Sequence, residues 1–289
     1  MESVRATFRV PTPMGEVWVR MTEGTERPAA PAVLFLHANP GDGRDFDAVV
    51  PALAQDRTVV TMDWPGFGQS PAVDPDRTTA DGLVTVAELL VQALDERGVR
   101  RLVLVGNSVG GYVAVRLAQR RPDAVAGLVL VDPAGFTRQN PLTRAFCRRL
   151  MGREALARHI VAPLARAYLG PLRTSSARAT YARARQVRHD PIRLAVHCAI
   201  WRSFADSGFD LTGDGSELTV PTLLIWGRRD PVLPALLDGR RARRSLPHAR
   251  YVSLPTGHEP FNEQPPLFLR HVTRFLHEDV EDPEDRPPR

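Results

Sequence analysis

The chain has 289 residues, 43% of them hydrophobic and 25% charged, a composition ordinary for a globular protein with one large core. The formal net charge is +5, but all 38 basic residues are arginines, scattered without the aromatic interleaving or zinc-finger spacing typical of nucleic-acid binding. We therefore expect no nucleic-acid partner. We also expect no membrane partner, because no apolar run reaches the roughly 20 residues of a membrane helix.

The first half of the chain predicts strands that alternate with helices. Residues 6–22 alternate in polarity around Met14-Gly15 and predict two antiparallel strands joined by a turn. Continuous apolar runs ending in turn residues predict strands buried on both faces, in 31–41, 57–70, 101–106 and 126–135. Helical periodicity fills 78–98, ending at Gly98, and a second helix is predicted to start near Gly111.

The middle of the chain has a different character. Residues 136–212 contain no strand-like run, and they predict several helices broken at Pro163, Pro171 and Pro191. This segment carries 14 arginines against four acidic residues. Strands resume in 219–230 and 249–259, with a basic helix between them and a last helix after them.

This order of elements predicts an α/β fold, a mostly parallel sheet flanked by helices. Residues 1–135 and 213–277 are expected to form one discontinuous core. Residues 136–212 are expected to be a helical cap inserted after the sixth strand. The charged, proline-rich residues 278–289 are expected to be a disordered acidic tail.

One short motif indicates chemistry. Gly106-Asn107-Ser108-Val109-Gly110 matches G-x-S-x-G, and it follows a predicted strand and opens a predicted helix. A sharp turn there lifts the serine Oγ above the sheet, and the helix directs its N–H groups towards it. We therefore interpret Ser108 as a nucleophile. The alternative is that the motif is only a tight turn.

A serine nucleophile needs a base oriented by a carboxylate, and two later strands end in such residues. Asp230 ends the strand in 219–230, and His258 ends the next strand. Both would lie at the carboxyl ends of parallel strands, where open α/β sheets bind ligands. We expect His258 as base and Asp230 as acid, with Asp132 the rival acid. The other histidines that we considered are interpreted as structural: His37, His197 and His248.

The reaction also needs an oxyanion hole. The backbone N–H of Val109 is one expected donor, and the loop after the strand in 31–41 supplies the other, Asn39 first and Ala38 second. The only cysteines, Cys147 and Cys198, are too few for a disulfide framework and have no metal-ligand spacing, so we expect no metal and a reducing, cytoplasmic location. Acyl transfer by serine, histidine and an acid needs no organic cofactor, and we expect none. The expected partner is a small-molecule substrate, and the sequence does not indicate an oligomeric state.

Nearly the whole chain resembles the α/β-hydrolase superfamily, specifically its capped group of esterases, epoxide hydrolases, haloalkane dehalogenases and C–C bond hydrolases. The resemblance rests on "HANPG", "DWPGFGQS", "GNSVGG", "WGRRDPVLP" and "GHEPFNEQP", which stand in the superfamily's order. It implies the α/β-hydrolase fold and a serine hydrolase that cleaves a carboxylic ester or thioester through an acyl-enzyme on Ser108. It also implies that Asp63, Gly66, Gly68 and Ser70 shape the site without doing chemistry.

Departures from the relatives restrict the chemistry. The sharp strand-to-helix turn, called the nucleophile elbow, carries Ser108 where dehalogenases and epoxide hydrolases carry aspartate. Val109 replaces the tryptophan of dehalogenases. Ala38 stands where relatives usually have glycine. "GNSVGG" resembles the elbow of meta-cleavage-product hydrolases, but Glu259 replaces their aromatic residue after the histidine, which favours ester over C–C cleavage. A C–C hydrolase, a biosynthetic acyltransferase or cyclase, and an inactive binding protein remain the alternatives.

Overall fold

A computed structural model describes residues 5–27, 29–213 and 218–281 of the chain. Eight strands form a single sheet: β1 (Arg5–Val10), β2 (Val17–Thr22), β3 (Ala32–Leu36), β4 (Val59–Met62), β5 (Leu102–Asn107), β6 (Val125–Val131), β7 (Thr222–Gly227) and β8 (Arg250–Leu254). Their order across the sheet is β1-β2-β4-β3-β5-β6-β7-β8. The pairs β1–β2 and β2–β4 are antiparallel, and the five other pairs are parallel.

The described residues also form ten α-helices, the last two of which follow β8: α1 (Val50–Leu53), α2 (Ala80–Asp95), α3 (Val109–Arg120), α4 (Pro141–Ala145), α5 (Glu154–Tyr168), α6 (Ser175–Gln186), α7 (Pro191–Ser203), α8 (Arg240–Ser245), α9 (Pro260–Glu263) and α10 (Pro265–Phe275). Short 3-10 turns occupy Gly43–Phe46, Pro75–Arg77, Val187–His189 and Ser207–Phe209. Wider π-helical turns occupy Phe146–Met151, Ala235–Gly239 and Leu276–Val280. No helix in the described ranges is long and apolar enough to cross a membrane.

The predicted fold class is confirmed: the sheet is mostly parallel and helices cover both of its faces. This cover is required because the central strands have apolar side chains on both faces. In β3, Leu34 belongs to one apolar cluster with α2 and α3, whereas Val33 and Phe35 belong to the opposite cluster with α1 and α10. The predicted strand pair around Met14-Gly15 is present as β1 and β2. Helix α3 begins at Val109, two residues before the predicted start.

Helices α4 to α7 occupy the segment between β6 and β7, and the structure has no strand within residues 132–213. The predicted helix break at Pro163 is wrong, since this proline lies inside α5. The missing N–H of one proline is tolerated there because tertiary packing buries the helix through Ala157, Val161 and Ala165. Pro171 separates α5 from α6, and Pro191 is the first residue of α7, as the sequence indicates.

The prediction of a disordered tail is wrong at its start. Residues 276–280 continue α10 as a π-helical turn, with Leu276 and Val280 buried. The carboxylate of Glu281, whose side chain is 3% exposed, pairs with Arg27 and with the fully buried guanidinium of Arg57. A buried charge needs such a partner, so the chain is held as far as this residue. Residues 282–289, the rest of the predicted tail, lie outside the described residues.

Replacing Glu281 by glutamine should therefore cost roughly 3 kcal/mol of unfolding free energy, because the guanidinium of Arg57 loses a buried ionic partner and keeps only Asp56. The matched control is Glu278→Gln: the Glu278 side chain is 48% exposed, so its ion pairs are screened by solvent and the loss should be much smaller. Urea denaturation at pH 7 measures both values. Equal losses in the two variants would contradict the assignment.

The same pair predicts a pH dependence. Burial raises the pKa of Glu281, but hydrogen bonds from Arg27 and Arg57 outweigh it and hold this pKa below its usual value of 4.5. A lowered pKa stabilises the fold above the unfolded value and loses that effect as the pH falls through the folded value. The stability difference between wild type and Glu281→Gln should therefore shrink below pH 4.5.

Candidate active site

Ser108 occupies the sharp junction between β5 and α3. Its backbone is left-handed, with φ 55° and ψ −118°, a conformation that costs energy for any residue but glycine. Close packing maintains it: a Cβ on Gly110 would lie 2.1 Å from the carbonyl oxygen of Leu36, and one on Gly106 would lie 2.3 Å from that of Gly110. Both glycines of the motif are thus required for α3 to contact the sheet.

His258 follows β8, and its imidazole is held from several sides. Its Nδ1 lies 2.6 Å from Oδ2 of Asp230, its backbone N–H donates to the carbonyl of Tyr168, and its ring packs edge-on against the ring of Tyr168. Since the carboxylate accepts from Nδ1–H, the lone pair of the neutral ring is on Nε2. The side chain of Asn107 donates to the carbonyl of His258, which ties this loop to the elbow.

Asp230 lies in the loop after β7 and is 5% exposed. Its Oδ1 accepts the backbone N–H groups of Val232 at 2.7 Å and Leu233 at 3.1 Å, which leaves Oδ2 for His258. These backbone donors compensate for the burial of the charged carboxylate and fix its orientation. The predicted acid and base are therefore brought into direct contact.

The rival acid, Asp132, has a different environment. It follows β6 with φ 42°, is completely buried, and its Oδ1 accepts the backbone N–H of Gly227 at 2.9 Å. Burial, and then the neighbouring charge of Asp230, raises the pKa of Asp132 well above its usual value. Its hydrogen bond goes to the end of β7, so it supports the loop that carries Asp230 and makes no hydrogen bond to His258.

Donor atoms of Asp132, Asp230 and His258 lie within 4.8 Å of one another, a set that metal ions accept. The short contact between Nδ1 and Oδ2 is the geometry of a shared proton and leaves no space for an ion between these two atoms. A second such group, Asp56, His277 and Glu281, is engaged by the guanidinium groups of Arg27 and Arg57. Neither group is arranged as an open metal site.

The three residues predicted to supply oxyanion donors lie near Ser108, and Ala38 and Asn39 line one small space with it. Val109 is the first residue of α3, and Ala38 and Asn39 follow β3 in the loop beside it. The loop is held by His37, whose Nε2 accepts the backbone N–H of Trp64 at 2.8 Å and whose ring Nδ1 lies 2.7 Å from the carbonyl of Ala38. The interpretation of His37 as structural is confirmed.

Sequence reasoning missed the role of His197 on α7. Its Nδ1 lies 2.9 Å from Oδ1 of Asn39, and its carbonyl accepts from Nδ2 of the same side chain at 3.1 Å. His197 thus connects α7 to the candidate oxyanion loop, and it is buried as predicted. No spacing in the sequence indicates it, since Asn39 and His197 are 158 residues apart in the chain.

Glu259, which replaces the aromatic residue of the meta-cleavage-product hydrolases, has its side chain directed away from Ser108. Glu259 is 1% exposed, and its Oε2 accepts from Asn262 at 2.6 Å beneath α6. Burial, and then the charge of Asp45, raises its pKa well above the usual value. Two spaces beside Ser108, described below, are lined by other residues, and Glu259 lines neither of them.

A cavity of about 480 Å³ opens beside Ser108. Its walls are largely apolar, and its lining includes Asn39, Ser108, Val109, Leu142, Phe146, Leu164, Ile200, Trp201, Phe204, Val232, Leu233 and Leu237. Among the described residues that line it there is no arginine, and Asp238 is the acidic member. Burial raises the pKa of Asp238. The volume is within the range of small-molecule sites.

A smaller space, the recess, adjoins the cavity at Ser108 and has a volume of about 20 Å³; the two also share Asn39, Leu164, Trp201 and Val232 as lining residues. It is lined by Ala38, Asn39, Pro40, Ser108, Val161, Leu164, Tyr168, His197, Trp201, Val232 and His258. The structure therefore brings the expected nucleophile, base and loop donors together at one small space.

Comparisons with known proteins identify the family and the fold. The sequence model of the alpha/beta hydrolase fold family matches residues 31–265. The uncharacterized hydrolase YugF of Bacillus subtilis is 24% identical over 266 residues, which cover 88% of this chain and 93% of that protein. The fold also resembles a thermophilic esterase from Thermogutta terrifontis, with a TM-score of 0.74, 24% identity and coverage of 96% and 100% of the two chains.

A second solved structure, 2-hydroxy-6-oxo-6-phenylhexa-2,4-dienoate hydrolase from Rhodococcus sp. strain RHA1, has a TM-score of 0.72 and 20% identity. It covers 94% of this chain and 99% of its own. At these identities the two structures establish the shared fold, whereas the family match spans most of the sequence. The protein belongs to the alpha/beta hydrolase fold family and is a hydrolase of that family.

Proposed function

We propose that the protein is a serine hydrolase that cleaves neutral carboxylic esters with an apolar acyl group through an acyl-enzyme on Ser108. The observation that carries the proposal is the hydrogen-bonded pair of Asp230 and His258 at the recess that Ser108 also lines, next to a large apolar cavity. A thioester of the same acyl group would react by the same steps.

In the proposed reaction, Oγ of Ser108 attacks the ester carbonyl carbon while Nε2 of His258 takes its proton. The oxyanion accepts hydrogen bonds from the backbone N–H groups of Val109 and of Asn39 or Ala38. Each of these hydrogen bonds contributes about 3 kcal/mol to transition-state stabilisation. His258 returns the proton to the departing alkoxide. Water then attacks the acyl-enzyme, gives a proton to His258, and releases the carboxylic acid as Oγ regains its proton.

The lining of the cavity supports a neutral substrate. A C–C hydrolase that acts on a ring-fission dienoate would have to bury a carboxylate, which is costly without a cationic partner. No arginine lines the cavity or the recess in the described part of the chain, although the cap is rich in arginine. An inactive binding protein would not need the buried contact of Asp230 with His258.

The nucleophile is tested with Ser108→Ala. We expect loss of labelling by a fluorophosphonate probe and at least a 10³-fold loss, in order of magnitude, of acid release from methyl octanoate in a pH-stat. The matched control is Ser207→Ala, an exposed serine of the cap, which should keep both signals. Turnover that survives in Ser108→Ala would rule out the acyl-enzyme on this residue.

The acid is tested by two matched substitutions. Asp230→Asn should lower kcat by about 10³- to 10⁴-fold, because an amide in that position stabilises the wrong tautomer of His258. Asp132→Asn should cost less than about tenfold, because Asp132 has no hydrogen bond to His258 and an amide oxygen can still accept the backbone N–H of Gly227. Steady-state hydrolysis of methyl octanoate measures both. The reverse order of losses would make Asp132 the acid.

The charge of the acyl chain provides a third test. Methyl hydrogen octanedioate has the chain length of methyl octanoate but ends in a carboxylate. Its kcat/KM should be lower by about 100-fold or more, because the cavity would hold that charge without a cation. Similar kcat/KM values for the two esters would refute the neutral-substrate assignment.

A further inference from the structure

The two spaces beside Ser108 differ in size and in their relation to the base. Both are lined by Ser108 and by the loop residue Asn39. His258 lines the recess of about 20 Å³ but is not among the lining residues of the cavity of about 480 Å³. An ester bound at Ser108 therefore has one large side and one small side, and the base is on the small side.

The proposed reaction, on which this inference rests, decides which part of the ester takes which side. The base must reach the oxygen of the leaving alcohol to protonate it, and later the attacking water to deprotonate it. Both oxygens must therefore occupy the side that His258 lines, the recess. The acyl chain is left with the large apolar cavity.

The size of the recess limits the alcohol. A space of about 20 Å³ slightly exceeds the roughly 10–15 Å³ that one water molecule requires. Its lining includes Val161, Leu164 and Tyr168 of α5 and His197 and Trp201 of α7, and Leu164 and Trp201 also line the cavity. Both helices are tied to the site: the carbonyl of Tyr168 accepts from the backbone N–H of His258, and the side chain of Asn39 binds His197.

The polar atoms of the lining suit a hydroxyl group. Three residues of the recess each have a buried polar atom without a hydrogen-bond partner in the described structure: Nε2 of His197, Nε1 of Trp201 and the hydroxyl of Tyr168. The Trp201 indole is a donor only, and the Tyr168 hydroxyl both donates and accepts. A group that satisfies them must therefore be able to donate and accept, as water and a small alcohol do.

The role of His197 follows from the amide of Asn39. Nδ2 of Asn39 must face the carbonyl of His197, since an oxygen there would repel it, so Oδ1 faces the imidazole. Nδ1 of His197 consequently carries the proton, and Nε2 is left as an acceptor. Burial lowers the pKa of His197 to about 3, so the ring stays neutral near pH 7.

We propose that the protein acts on esters that combine a medium-length apolar acyl chain with a very small alcohol, of methyl-ester type, and that water is its acyl acceptor. The large cavity holds the chain, and the recess holds first the leaving alcohol and then the water. A bulky acceptor does not fit the recess, which argues against an acyltransferase.

Two isomeric esters test the assignment. Methyl octanoate and heptyl acetate have the same atoms, but the long chain is on the acyl side in the first and on the alcohol side in the second. Heptyl acetate can place its chain in the large cavity only with its alcohol oxygen away from His258. We expect kcat/KM, measured by pH-stat, to be about 30-fold or more higher for methyl octanoate. Equal values, or a preference for heptyl acetate, would overturn the proposal.

Widening the recess is the second test. Val161 lines the recess but not the large cavity, so Val161→Ala should raise the ratio of propyl octanoate to methyl octanoate turnover by about fivefold. The matched control is Ile200→Val, in a residue that lines only the large cavity and should leave this ratio within about twofold. Each ratio is taken within one preparation, so a change in the folded fraction cancels. An unchanged ratio in Val161→Ala contradicts the size limit.

The outcomes separate this inference from the function it rests on. No fluorophosphonate labelling and no turnover of any ester would refute the serine hydrolase and the alcohol-side assignment together. Labelling of Ser108 with turnover of both isomers at similar rates would keep the hydrolase and refute only the small-alcohol assignment.

Discussion

The site depends on one backbone constraint, the left-handed turn at Ser108 between β5 and α3. The turn exists because α3 packs onto the sheet with no space for a Cβ at Gly106 or Gly110. The strain at Ser108 is therefore balanced by the burial of α3, whose apolar residues pack in the main core. The same contact directs the first N–H groups of α3 towards the place where an oxyanion would form.

The second determinant is the attachment of helices α6 and α7 to the loop after β3 through polar contacts. Asn39 binds His197 of α7, and Arg183 of α6 pairs with the buried carboxylates of Asp42 and Asp45. Such contacts are directional, so they fix where these two helices lie relative to the loop. The size of the recess depends on them, and with it the proposed choice of alcohol.

Several carboxyl groups around the site are buried beside one another, and their roles differ with their partners. Asp230 accepts two backbone N–H groups and contacts Nδ1 of His258, so its carboxyl group is oriented towards the imidazole. Asp132 and Glu259 have raised pKa values, because burial and neighbouring negative charge disfavour ionisation. The environment of each group, and not its residue type, makes one of them the candidate triad acid.

The sequence alone determined the fold class, because strand and helix periods, the elbow motif and the order of serine, acid and histidine are local patterns. It also indicated Asp230 next to a rival, Asp132, and their contacts now distinguish them: one hydrogen-bonds to His258, the other to Gly227. Only the tertiary structure decided that Pro163 stays within a helix, that Glu281 is held by Arg57, and that His197 and Trp201 line the recess. These features arise from contacts between segments far apart in the chain, whose packing energies no local pattern encodes.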